Sequence, residues 1–392
     1  MYDAIIVGAR CAGAATAMLL ARRGHRVLLV DRATFPSDIP HGHFVHRGGP
    51  ARLKRWGLLE RIAATGAPPV TAITTDYGDF TLSGRDILVD GAPLGVGPRR
   101  FAMDQVLVEA AVEAGAELRT GFAVQDYLGD GERITGIRGR EAAGRTAVTE
   151  RARVTIGADG RNSRLARTVG APVYEETPPL TCWYFSYWSG VPDRGLELYL
   201  RNRRVAIVFP AEDGLLGVFV AWPASFLPHV RTDIPRHFME VIHGMPDLAE
   251  RIRAGRQEDR FFGASDLPNF LRRPCGPGWA LVGDAGCHKD PFLALGMSDA
   301  FRDAELLAGA LDDALAGVGP VEDALDRYHR ERDGATLPAY RLNLHLARTM
   351  APPEEMLRLR AEVRGNAEAT RRYCLMSQGV EEAHAGPLEP TH

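Results

Sequence analysis

The fold is decided by the first stretch of the chain, YDAIIVGARCAG at residues 2–13. Residues 3–7 are a short apolar run with β-branched side chains, which predicts a strand buried on both faces of a parallel sheet. A glycine turn follows, and residues 14–23 then have the small side chains of a closely packed helix that ends at Gly24. A second apolar run, residues 27–30, ends in Asp31. Strand, turn, helix, strand and acid in this order predict a Rossmann-type βαβ unit.

The glycine turn of this unit has the chemistry of a phosphate site. Gly8 permits a tight turn, Gly13 permits close packing of the helix on the strand, and the helix N-terminus offers unpaired N–H groups to a pyrophosphate. Asp31 stands where a carboxylate accepts hydrogen bonds from a ribose. Arg10 replaces the second glycine of the usual pattern, so we expect its Cβ to point away from the phosphates, and its guanidinium is long enough to curl back onto them. The stretch predicts a site for the adenosine half of a dinucleotide.

Composition sets limits on the class of protein. The chain has 392 residues, of which 45% are hydrophobic and 25% charged, and this predicts a globular protein with two domains. A net charge of −3 gives no reason to expect nucleic acid. The 5 cysteines show no C-x-x-C spacing, which disfavours disulfides and zinc and favours a reducing cytoplasm. Because the first strand begins at residue 3 and the longest apolar run spans only residues 12–21, neither a signal peptide nor a membrane span is expected.

The loop after Asp31 contains the histidine-rich run HGHFVHRGG at residues 41–49. The run lacks the carboxylate or cysteine that would complete a set of metal ligands, so no metal is predicted. A loop in this position runs towards the dinucleotide, and we therefore expect Arg47 and the histidines to face phosphate or ring. For His41 and His43, a solvated polar loop explains the sequence equally well.

Two further strand ends carry an acid. Residues 154–163, VTIGADGRNS, predict a strand ending in a small-Asp-Gly turn, which places Asp159 at the carboxyl edge of the sheet beside a helix N-terminus. Residues 279–286, WALVGDAG, predict a buried strand ending at Asp284, whose carboxylate suits a ribityl hydroxyl. The next helix begins near Gly296, and its N-terminus suits the negative N1 and C2 oxygen of a reduced flavin.

The rest of the chain predicts a β-rich region and a helical end. Aromatic strands at 180–222 indicate a sheet, in which Tyr184 and Trp222 are equally consistent with the roof of a cavity and with core. Three polar amphipathic helices are expected at 321–380, and residues 381–392 are expected to be loose.

Three motifs of the chain are similar to those of a known family. They are the first glycine turn with Asp31, GADG at 157–160, and GDA at 283–285 followed by Pro291 and Gly296. They resemble single-component FAD-dependent monooxygenases of the para-hydroxybenzoate hydroxylase type, and their relatives the geranylgeranyl reductases. Cys287 stands where many relatives have His, with His288 one place later, and Ser298 replaces a usual Asn. The end of the sequence reads as short and helical, so no thioredoxin-like extension is expected.

The resemblance covers most of residues 1–320 and implies an α/β (α+β) fold. A doubly wound Rossmann-type FAD domain would be interrupted by a β-sheet substrate domain and followed by C-terminal helices. The implied division is residues 1–70, 98–175 and 262–320 for the discontinuous FAD domain, 71–97 and 176–261 for the substrate domain, and 321–392 for the C-terminal helices.

The resemblance also implies which residues contact the cofactor. Asp31 and Arg32 would face adenosine and Val124 the adenine side, whereas Asp159 would sit at the motif shared with the pyridine nucleotide. Gly296 and its neighbours would lie under the flavin ring. The implied cofactor-binding residues are Gly8, Arg10, Ala12, Gly13, Asp31, Arg32, Arg47, Arg100, Val124, Asp159, Asp284, Pro291, Gly296, Met297 and Ser298.

The activity implied is an NAD(P)H-dependent FAD monooxygenase that inserts oxygen from O2 into a small aromatic or secondary-metabolite substrate, by hydroxylation or epoxidation through a flavin C4a-hydroperoxide. His46 and His288 are the expected proton-handling residues, and Tyr184 and Trp222 the expected substrate contacts. The chain would act as a monomer or homodimer, without nucleic acid or a membrane span.

Three other functions compete with this hypothesis. The main alternative is an FAD-dependent reductase or dehydrogenase that acts on a C=C or C–N bond without oxygen. A flavin halogenase is disfavoured because neither Lys54 nor Lys289 lies in a motif that matches the lysine of that chemistry. A binding protein without flavin is disfavoured by the acids Asp31, Asp159 and Asp284.

Overall fold

The computed structural model describes residues 1–39, 41–142, 144, 146–351 and 354–379, without the side chains of residues 355 and 356. The expectation that residues 381–392 are loose lies outside this described part. The strands, in chain order, are β1 (Tyr2–Val7), β2 (Val27–Val30), β3 (Val45–His46), β4 (Pro69–Val70), β5 (Ile73–Asp76), β6 (Thr81–Gly84), β7 (Leu88–Val89), β8 (Ala92–Pro93), β9 (Gly95–Val96), β10 (Glu117–Arg119), β11 (Phe122–Asp130), β12 (Arg133–Glu141), β13 (Val148–Gly157), β14 (Val173–Thr177), β15 (Thr181–Ser189), β16 (Leu196–Arg201), β17 (Arg204–Pro210), β18 (Leu216–Pro223), β19 (Arg256–Gln257), β20 (Phe262–Ala264), β21 (Asn269–Arg272), β22 (Cys275–Gly276), β23 (Trp279–Leu281) and β24 (Cys287–His288).

The helices follow the same numbering along the chain. They are α1 (Cys11–Ala21), α2 (Gly49–Arg55), α3 (Leu59–Ala63), α4 (Arg100–Glu113), α5 (Arg164–Thr168), α6 (Leu227–Val230), α7 (Ile234–His243), α8 (Pro246–Ala254), α9 (Gly296–Leu315), α10 (Val321–Thr349), α11 (Glu354–Val363) and α12 (Ala367–Ser377). Within the described part, no helix is both long enough and apolar enough to cross a membrane.

The first large sheet confirms the predicted Rossmann-type unit. Strands β10, β2, β1, β13 and β23 are parallel neighbours in that order, and β12 and β11 extend the sheet in the antiparallel sense. Helices α1, α4 and α9 bury one face, whereas the meander of β11 and β12 covers part of the other. The central strands are buried on both faces because their apolar runs are continuous. The carboxyl ends of β1 and β2 therefore meet at the N-terminus of α1.

The second large sheet joins strands from separated parts of the chain, in the order β19, β15, β18, β17, β16, β5 and β6, with β20 also paired to β15. One face packs on the ends of α10 and α12, and the other packs on α7 and α8. Two smaller sheets have three strands each, in the orders β3–β9–β4 and β14–β21–β24. The predicted α/β class, the β-rich second layer and the helical C-terminus are confirmed.

Candidate functional site

The turn between β1 and α1 is shaped by close backbone approach. Gly8 has a φ of +107°, and a Cβ on it would lie 2.4 Å from the Ala158 carbonyl oxygen. A Cβ on Gly13 would lie only 1.7 Å from the Gly8 carbonyl oxygen. No side chain caps the N-terminus of α1 within the described chain, so its first amides, around Ala12, are available to an anion. The turn fits a pyrophosphate.

Asp31 is held beside this turn by backbone donors. Its Oδ2 accepts from the Ala9 N–H at 2.7 Å, and its Oδ1 accepts from the Ala33 N–H at 2.8 Å. Arg32 is exposed next to it. The acid at the end of β2 therefore lies at the glycine turn, as the sequence predicts, and its contact with adenosine stays a prediction.

Arg10 turns towards α4 in this structure. Its Nη1 lies 2.6 Å from Asp104 Oδ2, and its Nη2 donates to Ser37 Oγ at 3.1 Å. Arg100, at the start of α4, pairs with the same carboxylate at 3.0 Å. Asp104 is fully buried, so two guanidinium groups share one negative charge and leave an excess of positive charge near the turn. Asp104 was not singled out from the sequence, although its i, i+4 spacing from Arg100 on a helix is a readable signal.

Arg47 directly follows β3 and interacts electrostatically with Asp299 on α9. Its backbone is left-handed, with a φ of +48°, and its Nε is buried with no hydrogen-bond partner among the described residues. Burial lowers the pKa of this guanidinium, because desolvation disfavours its charge. A buried cation with an unsatisfied donor fits an anionic ligand such as a phosphate.

The N-terminus of α9 faces open space. No side chain of the described chain caps it, and a Cβ on Gly296 would meet nothing within 4 Å. Ser298 Oγ donates to the His46 carbonyl oxygen, which ties α9 to β3, and Met297 packs against the core of the first sheet. Pro291 begins a single-turn helix, Pro291–Leu293, that leads into this segment. Free amides and room at the helix start fit the flavin ring that the sequence predicts here.

Two of the predicted acids differ in their surroundings. Asp159 Oδ2 accepts from the Arg164 N–H at 2.7 Å, whereas its Oδ1 is buried without a partner within the described residues. Asp284 is exposed at the end of β23. Val124 lies on β11, and its carbonyl oxygen accepts from Arg164 Nη1 at 3.1 Å. The unsatisfied Asp159 oxygen and the exposed Asp284 carboxylate are both available to hydroxyl groups of a ligand.

The two histidines expected to handle protons are held by protein groups. His46 Nε2 lies 2.9 Å from the Leu293 carbonyl oxygen, and its Nδ1 lies 2.9 Å from Gln378 Oε1. Burial lowers the pKa of His46 to about 4, so the ring is neutral at pH 7. His288 is buried on β24, stacks on Phe270 and directs its Nδ1 to the Pro268 carbonyl oxygen. The proton-handling roles expected for His46 and His288 stay predictions.

A cavity of about 230 Å³ lies between the loop that carries His41 and His43, here called the histidine loop, the start of α4 and the second sheet. His43 is in its wall, where Nδ1–H donates to the Gly97 carbonyl oxygen at 3.1 Å and Nε2 accepts from the Tyr187 hydroxyl at 2.6 Å. Burial lowers the pKa of His43 to about 3, which keeps this arrangement neutral. The cavity is lined by Asp38, Ile39, His41, His43, Arg99, Arg100, Phe185, Tyr187, Arg260 and Phe262.

Tyr184 and Trp222 lie on the opposite face of the second sheet from this cavity, which corrects their expected role as substrate contacts. Both are buried in the cluster formed with α7 and α8. Successive side chains of a strand point to opposite faces, and the cavity takes Phe185 and Tyr187 from β15 instead. The core interpretation of Tyr184 and Trp222 is the one that the structure supports.

Comparison with known proteins identifies the chemistry of this arrangement. Residues 1–226 match the family model described as FAD binding domain. Squalene epoxidase erg1 of Schizosaccharomyces pombe is 24% identical over 372 residues, covering 91% of this chain and 80% of the relative. Rifampicin monooxygenase of Streptomyces venezuelae is 26% identical over 386 residues, covering 93% of this chain and 75% of the relative.

A solved structure shows the same fold. The myxobacterial chondrochloren halogenase CndH aligns with a TM-score of 0.79 at 20% identity, covering 96% of this chain and 97% of that protein. The family model spans more than half of the chain, and the glycine turn, Asp31 and the start of α9 fit the cofactor that its description names. The chain therefore belongs to the FAD-binding family of para-hydroxybenzoate hydroxylase type and is an FAD-dependent oxidoreductase.

Proposed function

We propose that the chain is a monooxygenase that uses NAD(P)H and O2. Its substrate would be a small aromatic molecule or a secondary metabolite, which it would hydroxylate or epoxidise. The proposal is carried by a cavity with aromatic side chains in its wall. This cavity lies between the second sheet and two residues on the cofactor side, Arg100 and His41. A partly enclosed site beside the flavin is what oxygen transfer requires, because water must be kept from the reacting atoms. When bound, FAD supplies the electrons and the activation of oxygen.

The residues that would hold FAD come from several chain segments. The first turn of α1 and Arg47 would bind phosphate, Asp31 the adenosine ribose, and Asp284 a ribityl hydroxyl. The N-terminus of α9 would stabilise negative charge on the reduced ring through its free amides and its dipole. These roles rest on the placement of each residue around one edge of the first sheet.

Aromatic rings pack on one another in the cavity wall and behind it, which makes this wall apolar and rigid. Phe185 stacks on Phe219 with ring centroids 4.5 Å apart, and Phe209 stacks on Phe219 at 5.1 Å. The His43 ring contacts Phe209 edge-on at 5.2 Å. Because the Tyr187 hydroxyl donates to neutral His43, its own oxygen is left as an acceptor that could orient a substrate hydroxyl or amine.

The placement of the lysines supports oxygen insertion over halogenation. CndH is named a halogenase, but its likeness to this chain extends to the fold alone. Lys54 Nζ donates to the Gly91 carbonyl oxygen at 2.6 Å, and Lys289 is buried against Asp299. Both amines are thus committed to protein partners, and neither residue lines the cavity.

The proposal is tested by coupling. FAD-loaded enzyme is reduced anaerobically with NADPH or NADH, mixed with oxygen and a panel of aromatic candidates, and assayed for product and for hydrogen peroxide. We expect at least one substrate to give oxygenated product in proportion to NAD(P)H consumed. A product formed equally well under nitrogen would establish the reductase alternative instead.

The oligomeric state, a monomer or homodimer, and a cytoplasmic location stay predictions. The five cysteines are buried and unpaired within the described chain, which is consistent with the expected reducing cytoplasm.

A further inference from the structure

Four charged side chains are packed together beside the first turn of α9. The amine of Lys289, which follows β24, contacts one oxygen of Asp299, and Arg302 Nη1 donates to the other oxygen at 2.5 Å. Arg302 Nη2 donates to Asp303 Oδ1 at 2.9 Å. The four side chains are only 3% to 16% exposed, so water screens these pairs weakly. We call these four residues the α9 charge cluster.

The pair of Lys289 and Asp299 is ionised. Burial opposes the charge of Asp299, but Lys289 and Arg302 hold its pKa below the usual value. Burial also opposes the charge of Lys289, yet Asp299 raises the pKa of this amine above its ordinary value. The neighbouring Cys287 adds no charge at pH 7, because burial raises the pKa of its thiol to about 11.

Asp299 stands where a negative charge opposes the role proposed for the helix. It is the fourth residue of α9, about 4.5 Å along the axis from Gly296. The positive end of a helix dipole amounts to roughly half an elementary charge, so a full negative charge within the first turn would cancel it. The start of α9 can favour a negative flavin ring only if cations compensate Asp299.

Lys289 is the cation directed at Asp299 alone among the described residues. Arg302 divides its N–H groups among Asp299, Asp303 and the Thr336 hydroxyl. With Arg47, which interacts electrostatically with Asp299, the region has three cations and two carboxylates and therefore one net positive charge. Without Lys289 this net charge would be zero. The chain has 47 basic residues and only 2 lysines, so a lysine at this buried position is a departure from its general use of arginine.

We propose that Lys289 tunes the reduction potential of the flavin by neutralising Asp299, so that the first turn of α9 and Arg47 favour the reduced, more negative form of FAD. Lys289 acts through Asp299 and is therefore a positioning residue. This inference rests on the placement of the flavin ring at α9 in the function proposed above, and it names the residue that regulates that site. A cluster that only ties α9 to the preceding segment would have no dependence on the balance of charge.

The test measures the midpoint potential of FAD-loaded protein at pH 7.5, by anaerobic reduction with dithionite in the presence of a reference dye. In Lys289→Met, reduced FAD should bind about tenfold more weakly relative to oxidised FAD, which lowers the midpoint potential by about 30 mV. Tenfold is the effect of a unit charge roughly 10 Å away at an effective dielectric constant of about 20. Arg302 keeps Asp299 ionised in this variant.

The double variant Lys289→Met, Asp299→Asn separates charge from packing. It removes both charges of the pair and restores the net positive charge, so its potential should return to that of the wild type. Lys54→Met is the matched control, because Lys54 is the other lysine and is exposed on α2, where it donates to the Gly91 carbonyl oxygen. Its potential should be unchanged.

An unchanged potential in Lys289→Met, a double variant shifted as far as the single one, or an equal shift in Lys54→Met would each overturn the inference. If Lys289→Met does not hold FAD, Lys289→Gln takes its place. Loss of FAD from both would overturn the inference as well, by showing that the cluster serves folding or FAD capture instead of the potential of the ring.

The outcome is separable from the proposed function. The potential is measured without oxygen and without a substrate, so an enzyme that shows these shifts but inserts no oxygen would contradict only the monooxygenase proposal. An enzyme that inserts oxygen and has the same potential in Lys289→Met would contradict only the inference about Lys289.

Discussion

The edge of the first sheet that we propose to bind FAD, formed by Gly8, Asp31, Asp284 and the N-termini of α1 and α9, is built in a different way from the aromatic cavity. The edge takes its shape from the backbone: a left-handed glycine, two helix N-termini and acids at strand ends. The cavity takes its shape from side chains on the histidine loop, the start of α4, β15 and β20. A backbone-built site is encoded in short contiguous motifs, whereas a site built from distant side chains can change its specificity without disturbing the motifs. The cofactor is therefore readable from sequence, and the substrate is not.

The largest effect is expected at the turn itself. Gly13→Val should abolish FAD binding, because even a Cβ at this position would lie 1.7 Å from a backbone oxygen that cannot move away. Released FAD after acid precipitation and an FAD titration would measure this. Gly309→Ala is the control: Gly309 is an exposed position of α9 where a Cβ meets nothing within 4 Å, so stability should rise by about 1 kcal/mol. A variant Gly13→Val that retains wild-type affinity would show that the turn does not hold the cofactor.

The charge that connects the two regions comes next. Asp104→Asn should lower the free energy of unfolding by about 3 kcal/mol, because Arg10 and Arg100 would lose the buried carboxylate that they share. Urea denaturation of the apoprotein would measure it. Asp126→Asn, which removes the exposed pair with Arg138, should cost at most about 1 kcal/mol. Equal costs for the two variants would mean that Asp104 is not a shared counter-ion.

The dependence of stability on pH should report on both regions. His43 in the cavity wall and His46 beside α9 have folded pKa values of about 3 and about 4, lowered by burial from an ordinary 6.5. Between pH 6.5 and 4 the unfolded chain binds these protons and the folded chain does not, so stability falls as the pH falls. Each histidine should contribute a slope of roughly 1.4 kcal/mol per pH unit. Urea denaturation from pH 7 to pH 4.5 measures this slope. His46→Gln should reduce the slope by the contribution of one proton. An unchanged slope would show that His46 is not buried in its neutral form.

The smallest effect is expected inside the cavity wall. Tyr187→Phe leaves His43 Nε2 without its donor and should cost about 1 kcal/mol of stability while FAD affinity stays unchanged. Tyr184→Phe, on the other face of the same strand, should change neither FAD affinity nor the binding of an aromatic ligand. Loss of FAD affinity in Tyr187→Phe would contradict the separation of the two regions. Thermal denaturation and an FAD titration measure both quantities.

The sequence predicts the parts of the molecule that local chemistry determines. The βαβ unit, Asp31 at its end and the helix start at Gly296 follow from runs of a few residues, and the structure places them as expected. The face of β15 was not predictable, because Tyr184 and Tyr187 are both aromatic and the choice between the two faces depends on what packs from elsewhere. The contact between His46 and Gln378 joins residues far apart in the chain, so no local pattern indicates it.

Oxygenation of a molecule held in the aromatic cavity is the main proposal for the FAD-loaded chain. It is tested most directly by a single turnover of reduced, FAD-loaded enzyme with an accepted substrate under ¹⁸O₂ in ordinary water, followed by mass spectrometry of the product. We expect one ¹⁸O atom per product molecule and little hydrogen peroxide. A product without the label would contradict the proposal.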